Sequence, residues 1–367
     1  MTIMTSIERV NNTLNLKPVD RIAFMLEPWG DTLNRWQAEG HIDPNKEDIG
    51  EHFGVDILRA GGLNNIANLD HKDKIIEETD ETILVLDGNG AKLRRHKLHD
   101  STPEHVDFAV KDRAGFEEHI KPFMAKIDRR RIPFEGYRKV RKFCAEKQRF
   151  LSCATMAPFE QMHPICGHEY MLMGMALDPA WIKEMALTFA KLTIHHLEIL
   201  FAEEGKPDGM WFYEDMGYKF KPFMSPQMYN EIIQPAHKLL FDYSHSIGCK
   251  VIVHSCGFVE PLVPGMIEAG MDCLQAMEVK AGMDMPRLFD KFGNRISFCG
   301  GIDTRVLISN DRKQIDAELM RNIPPVVGKG GSYILHSDHS EPPEVDYETI
   351  IYFINRGMEI AANCMKS

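Results

Sequence analysis

The chain has 367 residues, 44% hydrophobic and 26% charged, so it carries enough apolar material for one large core or two ordinary ones. Its net charge of −11 argues against a nucleic-acid surface, because phosphate contacts need clustered Lys and Arg. The longest apolar runs are strand-length, far short of the ~20 residues of a membrane-spanning helix, and the polar start MTIMTSIERVNNTLNLKPVDR has no apolar signal core.

Eight cysteines, at 144, 153, 166, 249, 256, 273, 299 and 364, are scattered along a long chain. Such spacing points to a reducing compartment, with the cytoplasm as the expected location, where thiols are inert or metal-binding rather than paired. The 22 methionines are expected to serve mainly as adaptable core filler.

In chain order, residues 21–27 (RIAFMLE) and 53–58 (FGVDIL) are predicted strands. Residues 81–86 (ETILVL) and 91–95 (AKLRR) flank Asp87-Gly88-Asn89-Gly90 and predict a β-hairpin, since Asn-Gly tolerates the positive φ of a tight turn. Further strands are predicted at 150–154 (FLSCA), 209–213 (GMWFY), 250–254 (KVIVH), 272–276 (DCLQA), 296–300 (ISFCG) and 332–336 (SYILH). Most are continuous apolar runs, as expected for parallel strands covered on both faces.

The connections read as helices. Residues 179–204 carry apolar residues at helical spacing behind an Asp178 N-cap and a first-turn Pro179. Ser225-Pro226 opens the next helix, Gly248 stops it, and Pro235 should kink or divide it. Helices are also predicted at 287–292, 311–322 and 347–365. Regular β–α alternation with about eight strands predicts an α/β fold, a (β/α)8 TIM barrel with a β-hairpin insertion near the N-terminus. No linker or low-complexity segment divides residues 1–367, which read as a single domain.

A barrel places functional residues at the C-terminal ends of its strands. There the sequence offers Glu214-Asp215, His254-Ser255-Cys256-Gly257, Met277-Glu278, Asp303 after Gly300-Gly301, and Ser337-Asp338-His339. His254-x-Cys256 is the sharpest signal, because imidazole and thiolate are both zinc ligands and Gly257 lets the backbone bend both toward one ion. The bland reading is a packed thiol beside a hydrogen-bonded histidine. His339, about eighty residues later, would complete the three protein ligands of a catalytic zinc. Glu214 and Asp215 are candidates for a fourth ligand, an orienting group or a general base, against a plain solvated loop. Asp303 is a similar case, a candidate acid/base against a turn-forming aspartate. Cys299 is expected to be packed in its strand. His163, Cys166 and His168 (MHPICGHEY) are expected in a loop lining the same cavity.

The segment VIVHSCGFVEPLVPGMIEAGMDCLQAMEVKAGMDMPRLFDKFGNRISFCGGIDTRVL resembles the uroporphyrinogen decarboxylase superfamily, within it the cobalamin-dependent methyltransferase branch. The similarity extends over essentially the whole chain, from the opening SIERVNNTLNLKPVDRIAF onward, and implies a (β/α)8 barrel. True decarboxylases of this family carry R-Q-A-G-R after the first strand to bind substrate carboxylates. Here the place reads MLEPWGDTLNRW, with only Arg35 nearby. The methyltransferases carry H-x-C-G, matched by His254-Ser255-Cys256-Gly257, and a later cysteine after a G-G-x-Y-I-L strand. GGSYIL matches that strand, but His339 stands at the cysteine's place, with Asp338 or His336 as register alternatives.

The resemblance implies Zn2+ and a corrinoid (methylcobalamin). No D-x-H-x-x-G motif occurs in the chain, so the corrinoid is expected on a separate corrinoid-binding protein docking at the barrel mouth. An imidazole as the third ligand, in place of a second thiolate, leaves more positive charge on zinc, which suits oxygen activation. The resemblance therefore implies methyl transfer between a methylated substrate and cobalt, as O-demethylation of a methoxylated aromatic compound. Phe159, Trp211, Phe212, Tyr213 and Met277 are candidates for the apolar wall, or equally for the core. Alternatives are a thiol-methylating methylcobamide methyltransferase, a decarboxylase or lyase using Asp303 or Glu214 as acid/base, and a metal-free binding barrel. The methyl donor, the direction of transfer and homodimer formation stay open.

Overall fold

The computed structural model describes residues 3–43, 48–98 and 103–366. Its strands are β1 (Ala23–Phe24), β2 (Ile57–Gly61), β3 (Lys74–Glu78), β4 (Thr82–Leu86), β5 (Ala91–His96), β6 (Glu104–Phe108) and β7 (Phe150–Met156). They continue with β8 (Gly209–Tyr213), β9 (Gly217–Tyr218), β10 (Lys221–Pro222), β11 (Lys250–Ser255), β12 (Cys273–Ala276), β13 (Ser297–Gly300) and β14 (Tyr333–Leu335).

Eight strands form one sheet in the order β1-β14-β13-β12-β11-β8-β7-β2, every pair parallel. The sheet curls until its ends meet, where the Asp56 N–H donates to the Phe24 carbonyl at 2.8 Å. Helices cover the outside, giving the expected (β/α)8 barrel. Successive side chains alternate across each strand. Val251 and Val253 pack outward under the helices, while Ile252, Trp211, Phe150, Cys299 and Ile334 fill the barrel interior.

At the N-terminal end of the barrel, buried Asp56 ties the first helix (Ser6–Leu14) to the sheet. It accepts from Ser6 Oγ at 2.7 Å, Arg9 Nη1 at 2.8 Å, Arg21 Nη1 at 2.7 Å and the Phe24 N–H at 2.9 Å. Burying one carboxylate among two guanidinium groups satisfies its charge and oxygens together.

The predicted hairpin is the middle of a larger insertion. β3-β4-β5-β6 form a four-stranded antiparallel sheet, with Gly90 at φ +74° in the predicted turn. Its two edge strands escape hydropathy patterning because β3 (KIIEE) is exposed along its whole length and β6 (EHVDF) buries only Phe108. The second barrel strand also lies further along than the predicted 53–58. Residues Ile49–Phe53 are helical, Gly54 caps them at φ +71°, and pairing begins at Ile57, which brings Arg59 into the barrel.

Pro235 divides its helix as expected. A wider π-type turn at Tyr229–Ile233 precedes it, and the helix Gln234–Ser246 restarts with proline in its first turn. The predicted 311–322 helix runs on to Val327 through Pro324-Pro325. Pro179–Glu204 is long and apolar enough to cross a membrane by length and composition, yet half of its apolar window is packed inside the fold, as in a core helix. None of the eight cysteines forms a disulfide among the described residues.

Candidate metal centre

Loops following β8, β11, β12 and β14 converge at the C-terminal mouth of the barrel. The β11 loop turns sharply after Ser255, with Gly257 at φ +77°. A Cβ on Gly257 would lie 2.1 Å from the Gly217 carbonyl carbon, so two glycine backbones pass each other where no side chain fits. The crossing holds Cys256 in place, and carboxylates grip both of its flanks. Asp215 Oδ1 accepts the Cys256 N–H at 2.8 Å, and Glu278 Oε2 accepts the Gly257 N–H at 2.6 Å.

The Cys256 thiol is the centre of the arrangement. His254 Nε2 lies 3.4 Å from Sγ and His339 Nε2 lies 3.9 Å from it. Asp215 Oδ1 is 3.4 Å from His254 Nε2, and Glu278 Oε2 is 3.9 Å from His339 Nε2. These donors fall into two sets that share Cys256, Asp215–His254–Cys256 and Cys256–Glu278–His339, with ligand atoms within 4.8 Å of one another in each. Each histidine is oriented from behind. His254 Nδ1 is hydrogen-bonded to Oε1 of buried Gln275, and His339 Nδ1 is 3.4 Å from Asp338 Oδ1. Such partners fix ring orientation at metal sites.

Burial pushes the Cys256 thiol well above its ordinary range, and the Asp215 and Glu278 carboxylates push it further. Burial opposes charge on His339, but Asp338 and Glu278 outweigh it and raise its pKa. A nitrogen–sulfur–oxygen donor set under this negative potential is chemistry that fits Zn2+. Cation binding would reverse the electrostatic penalty on the thiolate.

A cavity of about 770 Å³ opens beside Cys256, lined by Glu160, His163, His168, Asp215 and Glu278, with Tyr218, Phe223 and three basic side chains, Lys219, Lys280 and Arg305, around it. His163 and His168 do line it, but from a helix rather than a loop. Pro158–Leu177 is kinked at Gly167, φ +67°, which turns the His163 and His168 rings into a stack 4.6 Å apart. Cys166 is buried and donates to the Met162 carbonyl.

Several expected roles change. Glu214 is fully buried, not a free acid/base. It accepts the Phe159 and Glu160 N–H groups at 3.0 and 2.9 Å and sits 2.5 Å from His237 Nε2, so it anchors the start of the Pro158–Leu177 helix. Its neighbour Asp215 faces the cavity instead. Asp303 caps the helix Thr304–Ile308 and pairs with Arg305 at 2.6 Å, the turn-forming role. Phe159, Phe212 and Met277 are packed in the core, and Trp211 fills the barrel axis rather than a cavity wall. Tyr213 alone of that group reaches the centre, its ring edge-on to His254 at 5.3 Å between centroids.

The register alternatives to His339 lie outside both donor sets. Asp338 accepts from Thr304 Oγ1 at 2.6 Å and the Val279 N–H at 2.8 Å, while His336 donates through Nδ1 to the Ser337 carbonyl at 2.6 Å. Glu278 and Gln275 were the residues that sequence reasoning left without a role. The signal for Glu278 was its place after the 272–276 strand. For Gln275 there was none, since a buried glutamine in an apolar run shows its partner only in three dimensions.

No curated protein matches the chain in sequence. Among solved structures, a methyltransferase from Methanosarcina mazei shares the fold at a TM-score of 0.66 and 13% identity, over 97% of this chain and 99% of that chain. The family model described as uroporphyrinogen decarboxylase (URO-D) matches residues 98–359, more than two thirds of the sequence and all of the barrel from β7 onward. The chain belongs to the uroporphyrinogen decarboxylase family.

Proposed function

We propose that this protein is a zinc-dependent methyltransferase that moves a methyl group between a small methylated substrate and the cobalt of a corrinoid held by a separate protein. The observation that carries the reading is Cys256 Sγ flanked by His254 Nε2 at 3.4 Å and His339 Nε2 at 3.9 Å, at the mouth of the barrel beside an open cavity. His254, Cys256 and His339 would hold the ion, with Asp215 and Glu278 beside them. Zn2+ bound there supplies a Lewis acid for an ether or alcohol oxygen.

The chain's own residues do the remaining work. Gln275 and Asp338 orient the two imidazoles, and the Gly217–Gly257 crossing fixes the thiol. The barrel mouth receives the corrinoid-bearing partner. For a methoxylated aromatic substrate the ether C–O bond would break, the methyl group would pass to the partner's reduced corrinoid, which would supply the electron pair of the new bond, and the phenolic oxygen would take a proton from water. The H-x-C-G element at His254-Ser255-Cys256-Gly257, which resembles that of the methyltransferase branch, and the fold shared with a methyltransferase support this reading.

The test is methyl transfer from a panel of methoxyarenes to Co(I) on a corrinoid protein, followed by the visible spectrum of methylcobalamin. Formation that requires zinc and is lost in Cys256→Ala is expected. No methyl transfer from any methoxyarene would sink the O-demethylation reading.

The second reading is decarboxylation, favoured by Lys219, Lys280 and Arg305 around the cavity, which suit a substrate carboxylate. Corrinoid-independent release of carbon dioxide would establish it. Thiol methylation is the third outcome of the same assay, recognised by methyl transfer from methylcobalamin to an added thiol.

A further inference from the structure

Just inside the mouth, the barrel carries a polar ring. Arg59, Tyr213, His254, Gln275 and His336 each stand two residues beyond an interior residue, namely Ile57, Trp211, Ile252, Cys273 and Ile334. Strand alternation therefore turns all of them toward the axis. Arg59 Nη1 donates to the Tyr213 hydroxyl at 2.6 Å, and its guanidinium lies 4.9 Å above the Trp211 ring. The same guanidinium pairs with Glu27, and the side chains are 16% and 34% exposed, so solvent reaches this depth.

The ring has unused hydrogen-bonding capacity. His336 is 1% exposed, and its Nδ1–H is spent on the Ser337 carbonyl. Nε2 is therefore a buried acceptor, and no donor meets it among the described residues. Trp211 Nε1–H and Ser152 Oγ, also on inward-facing positions, have no partner among them either. The Tyr213 hydroxyl accepts from Arg59 but donates to no described residue. Buried polar atoms are nearly always paired, so three unpaired ones along a single barrel axis mark a place where a polar guest sits.

The charge balance says what kind. Arg59 and Glu27 cancel each other. His336 and Tyr213 offer hydrogen-bonding atoms rather than an open charge, the one buried at the axis and the other held by Arg59. An anion or cation would gain no net charge here and would compete with an existing ion pair. A group that both donates and accepts matches the free acceptor on His336 and the free O–H on Tyr213. We propose that this ring is a substrate subsite for a neutral hydroxyl group, phenolic or alcoholic, on a molecule whose reacting atom lies toward Cys256. The inference rests on reading the barrel mouth as the methyl-transfer site and adds the substrate's second functional group.

Equilibrium binding to the zinc-loaded protein tests it, by calorimetry with phenol, benzoate, benzylammonium and toluene as probes. Phenol is expected to bind at least about tenfold tighter than the other three, the scale of a buried hydrogen bond. His336→Asn keeps a donor for the Ser337 carbonyl but deletes Nε2, and it should weaken phenol about tenfold. Tyr213→Phe should do the same, and it decides the question if His336→Asn does not fold. Absence of phenol binding, as for a site that holds internal water only, overturns the inference. So does benzoate or benzylammonium binding as tightly as phenol, or phenol binding that neither variant changes.

The two readings fail separately. A protein that binds phenol through His336 but transfers no methyl group loses the methyltransferase reading and keeps the subsite. One that demethylates methoxybenzene as efficiently as 2-methoxyphenol keeps the reading and loses the subsite.

Discussion

His254 donates its Nδ1 proton to Oε1 of Gln275, which leaves the Nε2 lone pair facing Cys256 Sγ at 3.4 Å. A ligating imidazole must present an unprotonated nitrogen, and the hydrogen bond on the far side selects it. Gln275 is 2% exposed and its register partner across β11 and β12 is His254 itself, so the pairing is built into the sheet. Gln275→Leu removes the acceptor at similar volume and should weaken Zn2+ binding by roughly 10- to 100-fold. Gln275→Glu retains an acceptor and should stay near wild type. Chelator competition measures both, and equal affinity for Gln275→Leu and wild type would remove Gln275 from the account.

The identity of the third ligand is tested by metal stoichiometry. His339→Ala should lower bound zinc sharply, as should Cys256→Ala, because each removes a donor from a cluster spanning less than 5 Å. His339→Cys should keep stoichiometric metal, since thiolate is also a zinc ligand. His336→Asn should leave stoichiometry unchanged, because His336 belongs to neither donor set. Elemental analysis of the purified variants checks the series. Full metal content in His339→Ala would move the ligand role to Glu278 or Asp215.

The barrel and His254-x-Cys256 were legible in the sequence for a physical reason. Parallel strands buried on both faces are long apolar runs, and polar residues at their ends stand out against them. The same reasoning misjudged Glu214, because composition cannot tell a carboxylate facing a cavity from one receiving two backbone N–H groups and His237. Trp211 stays open between cavity wall and core in the sequence, because a strand reads the same whether its aromatic faces the axis or a ligand; the structure puts it in the barrel interior. Arg59 was missed through a boundary: the predicted strand ended at 58, whereas pairing runs from Ile57 to Gly61. The edge strands of the inserted sheet lack apolar alternation, so only their tertiary pairing defines them.

Acid sensitivity should come from the imidazole stack on the cavity wall. His105, His163 and His168 lie in a column, with centroids 5.6 and 4.6 Å apart. Burial lowers the pKa of His168 to about 4, helped by its two imidazole neighbours, and burial lowers His105 as well. A histidine with a depressed folded pKa contributes stability that is present above pH ~6.5 and lost as pH falls toward the folded value. For His168 the window is therefore about pH 6.5 down to 4, and the part lost by pH 5 is roughly 2 kcal/mol. His168→Phe keeps the ring and cannot take up a proton. Urea unfolding of both proteins at pH 7.5 and 5 should show a smaller loss of stability in the variant, and identical losses would refute the assignment.

The two ends of the barrel should respond to mutation in opposite ways. Asp56 lies at the N-terminal end, fully buried and paired with Arg9 and Arg21. Asp56→Ala leaves guanidinium charge without its partner and should cost about 3–5 kcal/mol of stability. The loops that carry Cys256 and His339 are at the far end of the strands, so the folded fraction should bind zinc as the wild type does. Gly257→Ala acts at the other end, where its Cβ would meet the Gly217 backbone at 2.1–2.5 Å with φ at +77°. No rotamer relieves a backbone clash, so the loop must move, and Cys256 moves with it. Zinc affinity should fall at least about tenfold, the scale of a perturbed ligand shell. Urea denaturation and chelator competition on the same two variants separate these effects. Normal zinc affinity in Gly257→Ala would show that the crossing of the two glycine loops does not position the thiol.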